Sequence, residues 1–226
     1  MTKGFIFRRK TVPKQSLGFT LVELIIVMGV TTLLGLIMTD VLVQTLRGEN
    51  KAKVVSTVKQ NGQVVLENLV NQIRQAEEVV CVGDTIANPV TDTVVIFKQG
   101  SYIRYRFVSP QPVSTPTSNG YLMYDTFTAD DFPDISQARC NDVSLIASRI
   151  AYITDIDITR GISIFVSGDN GFTDNIFRRT VVPGYNDAID IKFRASAGVG
   201  AGSAYEVTLK EGGILFNTTV GVRTKK

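Results

Sequence analysis

The sequence predicts an α+β fold, a long N-terminal helix packed on an antiparallel β-sheet, and three observations carry that reading. Residues 19–39 form an apolar run of 21 residues whose only charge is Glu23. Apolar residues then recur at 54, 58, 65, 69, 73, 76 and 80, three or four apart except around Gly62, which is the stripe of an amphipathic helix. Beyond Cys81 the period changes to two and β-branched residues take over, which is the signature of strands.

The helix comes first. At about 1.5 Å per residue, 21 residues span roughly 30 Å, the hydrocarbon thickness of a bilayer. No proline lies between Gln15 and Ala87, so nothing forces a break between the apolar run and the amphipathic stripe. One helix from about Thr20 to Glu78 is expected. Gly29, Gly35, Gly48 and Gly62 each cost up to ~1 kcal/mol within it and are the expected places for a bend.

Strands follow. Thr93-Val-Val-Ile-Phe-Lys98, Tyr102-Ile-Arg-Tyr-Arg-Phe-Val108 and Tyr121-Leu-Met-Tyr-Asp-Thr-Phe127 read as three of them. In the second, Ile103, Tyr105 and Phe107 share one face, and Arg104 and Arg106 the other. Further strands are expected at 153–159, 161–166, 189–195, 205–210 and 215–222, with Gly198-Val-Gly-Ala-Gly-Ser203 as a hairpin connection.

Charge sets the orientation. Lys3, Arg8, Arg9, Lys10 and Lys14 precede the apolar run with no acidic residue among them, whereas Arg47, Glu49, Lys51 and Lys53 after it are mixed. The positive-inside rule therefore places the N-terminus in the cytoplasm and the β domain outside. A secretory signal needs a shorter apolar stretch and a small-x-small site, and neither is present. Cys81 and Cys140 are an even pair in a compartment where disulfides persist. A bridge is the first reading, two buried thiols the alternative.

Gly18-Phe19-Thr20-Leu21-Val22-Glu23, behind a basic leader and continuing into the apolar run, resembles the processing signal of type IV prepilins and type II secretion pseudopilins. That resemblance implies a leader over 1–18, cut by a membrane prepilin peptidase between Gly18 and Phe19, with N-methylation of Phe19. It implies a transmembrane and filament-core helix over 19–39, an amphipathic half over 40–80 and an extracytoplasmic β domain over 81–226. The chain would be a minor pilin or pseudopilin, single-pass in the bacterial cytoplasmic membrane and then in a periplasmic or surface filament. Its implied partners are the peptidase, other pilin or pseudopilin subunits, the inner-membrane assembly platform and, before assembly, membrane lipid. Glu23 would pair with the Phe19 amine of a neighbouring subunit during assembly.

Other chemistries are weakly supported. The chain contains no histidine, which removes histidine triads and histidine metal sites. No cofactor, metal site or catalytic residue is expected, and nothing in the spacing selects a pair of carboxylates for enzymatic work. Asp169, Asn170, Asp174 and Asn175 would suit calcium by ligand type but lack the spacing of an EF-hand loop, and turn formation accounts for them. Asp130, Asp131 and Asp134 read likewise as a solvated loop. The alternative function is a pilus-displayed adhesin or a DNA-uptake module using Arg104, Arg106, Arg178 and Arg179. Charge counts against nucleic acid: of 24 basic residues five fall in the leader, leaving 19 against 21 acidic, a net charge of −2.

Overall fold

The computed structural model describes residues 18–83, 91–110, 117–128, 130–131, 140, 149–166, 176–180, 188–210 and 212–222. They form α1 (Leu21–Arg74), β1 (Glu78–Gly83), β2 (Thr91–Lys98), β3 (Ser101–Val108), β4 (Tyr121–Phe127) and β5 (Ile150–Tyr152). There follow β6 (Ile162–Phe165), β7 (Phe177–Thr180), β8 (Ala188–Ala197), α2 (Ser203–Lys210) and β9 (Ile214–Gly221). The chain divides into two compact units, Met1–Gly48 and Glu49–Lys226.

In the first unit every described side chain is exposed. The helix here is long and apolar enough to cross a membrane, with a mean hydropathy of 2.4 over its most apolar window. Its hydroxyls are satisfied without water: Thr31 donates to the Val27 carbonyl at 2.8 Å, Thr32 to Met28 at 2.7 Å and Thr39 to Gly35 at 2.8 Å. A hydroxyl that bonds back to its own helix leaves no unmet donor in an apolar surrounding.

The second unit is built on the amphipathic half of α1. Val58, Gly62, Val65, Leu66, Leu69 and Ile73 are buried, following the predicted stripe. α1 stops at Arg74 rather than near Glu78, and Glu78 to Gly83 is a strand. The reason is tertiary. Lys98 donates to Gln72 Oε1 at 2.8 Å and Gln75 Oε1 at 2.7 Å, and the Gln99 amide donates to Glu77 Oε1 at 3.3 Å. These contacts hold the β2–β3 hairpin against the helix end, and Val79 pairs with Ile96 across the β1–β2 ladder. Gln99 and Gly100 make the two-residue turn with φ of 51° and 79°, the left-handed pair that a tight antiparallel hairpin requires.

The first sheet is antiparallel in the order β1-β2-β3-β4-β5. One face, with Val94, Ile96, Tyr105, Phe107 and Leu122, joins the α1 stripe in the main core. Burial drives the Tyr105 phenol to a pKa far above its ordinary value, with the neighbouring Tyr124 adding to the effect. The opposite face carries a second small core of Cys81, Val95, Phe127 and Cys140, flanked by Val80 and Tyr102. A register shift between Val79 and Cys81 makes this possible. Two residues apart on a regular strand they would share a face; the bulge sends Val79 to the main core and Cys81 to the second.

The second sheet is centred on β8, with β9 on one edge and β6 and β7 end to end along the other. Ile189, Ile191, Phe193 and Ala195 of β8 and Phe216 and Val220 of β9 belong to the same main core as α1 and the first sheet. Two sheets therefore stand where one was expected. They are joined by polar links: the buried Asp92 carboxylate accepts from the Ile176 amide and, at 3.0 Å, from Phe177. Across the other end the Gly120 carbonyl accepts from Ile164 at 2.8 Å, and Ser163 Oγ accepts from the Gly120 amide at 3.0 Å.

Two expected strands are corrected. The strand of this region is 150–152, and 153–160 is turn and loop, where Asp155 Oδ1 accepts from the Asp157 amide at 2.9 Å and Asp157 Oδ1 from the Thr159 amide at 2.8 Å. Residues 205–210 lie in α2, so the glycine-rich 198–203 leads into a helix instead of closing a hairpin. Thr208 decides this, accepting from the Ala197 amide at 3.0 Å while donating to the Ala204 carbonyl at 2.9 Å, a pair of bonds available only in a helical turn against the end of β8.

Candidate functional site

The residues singled out by the sequence stand at the N-terminal end of α1. Gly18, Phe19 and Thr20 precede the helix and are exposed, Phe19 at 78%. Thr20 is the cap: its carbonyl accepts the first helical bond from Leu24 at 3.1 Å, and its hydroxyl accepts from the Glu23 amide at 3.2 Å. Glu23 thus occupies the third helical position, where a carboxylate faces the positive end of the helix dipole. Thr20-x-x-Glu23 has the spacing of a capping box, a signal present in the sequence that a reading of Glu23 as a lone membrane charge passes over.

Glu23 is 16 residues of uncharged helix away from the next acid, Asp40, which accepts from Gln44 Nε2 at 3.0 Å. A Cβ placed on Gly18 meets nothing within 4 Å. Packing among the described residues therefore does not select glycine at position 18.

Cys81 and Cys140 are bonded, with Cα atoms 5.9 Å apart and both side chains buried. This settles the alternative in favour of the bridge. The cystine joins edge strand β1 to the segment that follows β4, on the sheet face turned away from α1.

The four arginines considered for an anionic ligand do not form one surface. Arg104 is 1% exposed and Arg106 6%, on the face that carries the second small core. Arg104 is held by Asp125, with Phe127 beneath its guanidinium at 5.9 Å. Arg178 and Arg179 belong to β7 in the other sheet. Alternation placed Arg104 and Arg106 away from the helix as expected, but that face is interior as well.

Of the acidic loop, Asp131 closes a turn, accepting from the Thr128 amide at 2.9 Å and hydroxyl at 3.0 Å and from Arg149 at 3.2 Å. The Thr128 hydrogen bonds, foremost that of its amide, and Arg149 hold this exposed carboxyl below the usual range. Asp134, Asp169, Asn170, Asp174 and Asn175 lie outside the described residues. Among the described residues no three His, Cys, Asp or Glu side chains gather as metal ligands. Buried Asp92 escaped the sequence reading, since it looks like one more polar residue at a strand end.

No family model, curated protein or solved structure matches this chain.

Proposed function

We propose that this chain is a structural subunit, a minor pilin or pseudopilin, of a type IV pilus or type II secretion-like filament. The observation that carries the reading is the placement of Gly18-Phe19 in exposed, non-helical chain one residue before the cap of a 54-residue helix. Cleavage there releases a chain that begins at the helix, and the helix runs without a break from an apolar span to the stripe that builds a folded core. A helix with 18 large apolar side chains exposed between Phe19 and Leu46 needs an apolar surrounding, which lipid supplies before assembly and neighbouring helices supply afterwards.

Glu23 fits the same scheme. A carboxylate within a membrane-spanning run costs on the order of 2.5 to 3.5 kcal/mol on insertion scales, and the positive helix end and a neighbour's Phe19 amine are the charges that offset it. The buried cystine is in keeping with a domain that folds outside the cytoplasm.

Intact-mass analysis of chain recovered from sheared filaments or from the membrane of a producing cell tests the reading. A mass beginning at N-methylated Phe19 is expected. Assembled material that retained Met1 would defeat it.

A further inference from the structure

We infer that Thr20 is a positioning residue for processing: by capping α1, its hydroxyl holds the Gly18–Phe19 peptide bond outside the helix, in the open chain a peptidase requires. The inference rests on the filament reading above. It concerns a residue on neither side of the cut bond and assigns it a conformational role instead of a contact.

A peptide carbonyl can be attacked only when it is turned out of the helical ladder and has room around it. Here the helix begins at Leu21, two residues after Phe19 and so too late to include the scissile bond, and the boundary is set by two bonds to one residue. The Thr20 carbonyl takes the Leu24 amide at 3.1 Å and its side chain takes the Glu23 amide at 3.2 Å. Upstream of that point a Cβ on Gly18 would meet nothing within 4 Å among the described residues, and Phe19 is exposed. The sequence does not stop the helix by other means. No proline intervenes until Pro13, and the next residues of capping type are Gly18 and, one turn back, Ser16. A chain that loses the Thr20 hydroxyl can restart its helix at Gly18 or Ser16 and draw the bond to be cut into the first turn.

The hydroxyl, and not the shape of the side chain, is what the inference requires. Thr20→Val keeps the shape and removes the acceptor; Thr20→Ser and Thr20→Asp keep an acceptor and change the shape. Each full-length variant is produced in membranes with a prepilin peptidase, and the rate of conversion to the form starting at Phe19 is followed by mass. Ser and Asp variants are expected to be cut at the wild-type rate, and the Val variant about fivefold more slowly, the factor that corresponds to the ~1 kcal/mol of a lost cap. Hydrogen exchange at the Glu23 amide, in micelles, should quicken in the Val variant alone. Equal cutting of wild type and Thr20→Val overturns the inference and leaves the filament reading standing. A wild-type chain that the peptidase does not cut after Gly18 overturns both.

Discussion

Arg104 on β3 and Asp125 on β4 are joined in the interior by two parallel hydrogen bonds, Nε to Oδ1 at 2.9 Å and Nη2 to Oδ2 at 2.5 Å. They sit directly opposite in the β3–β4 register. Their side chains are 1% and 5% exposed, so the pair has left water and each charge depends on the other. Arg104→Ala should therefore lower the unfolding free energy of the soluble part, from Glu49 onward, by about 3 to 5 kcal/mol. Arg104→Met with Asp125→Leu should recover most of that loss. Urea unfolding of the two variants is the check.

Gly62 lets α1 approach β9. A Cβ at this position would overlap the Phe216 ring. Gly62→Ala gains up to ~1 kcal/mol in helix propensity, yet overpacking costs about 1 to 3 kcal/mol, so net destabilisation is expected. Adding Phe216→Leu should cost less in the Gly62→Ala background than in the wild type, a coupling read by a double-mutant cycle.

The Cys81–Cys140 bridge closes a separation of 59 residues. The chain-entropy relation gives about 4 kcal/mol for such a loop. Cys81→Ser should lower the unfolding free energy by that order, and thiol reagent added to denatured, unreduced wild type should label neither cysteine.

Glu23→Val should enter the membrane at least as well as wild type, since it removes the one charge of residues 19–39. On the proposed filament function its incorporation into filaments should fall steeply, because the proposed pairing would leave a neighbour's buried amine without its partner at a cost of about 3 to 5 kcal/mol. Comparing its level in sheared filaments with its level in the membrane fraction measures this; normal incorporation defeats the pairing.

The sequence by itself determined the helix, its apolar and amphipathic halves, the β2, β3, β4, β6, β8 and β9 strands and which residues of β3 share a face. These follow from periods of 3.6 and 2, which local geometry imposes on any chain. It also held the first-turn signal, since Thr20 and Glu23 lie within one helical turn. Tertiary structure decided the rest. The helix ends at Arg74 because the β2–β3 hairpin meets it there, and 203–210 is helical because Thr208 bonds to the end of β8. The bulge after Val79 turns Cys81 toward Cys140, and Arg104 and Arg106 are buried on a face that alternation alone would leave in water. Each of these depends on a partner from 11 to 59 residues away along the chain, and no local pattern records which partner will be near.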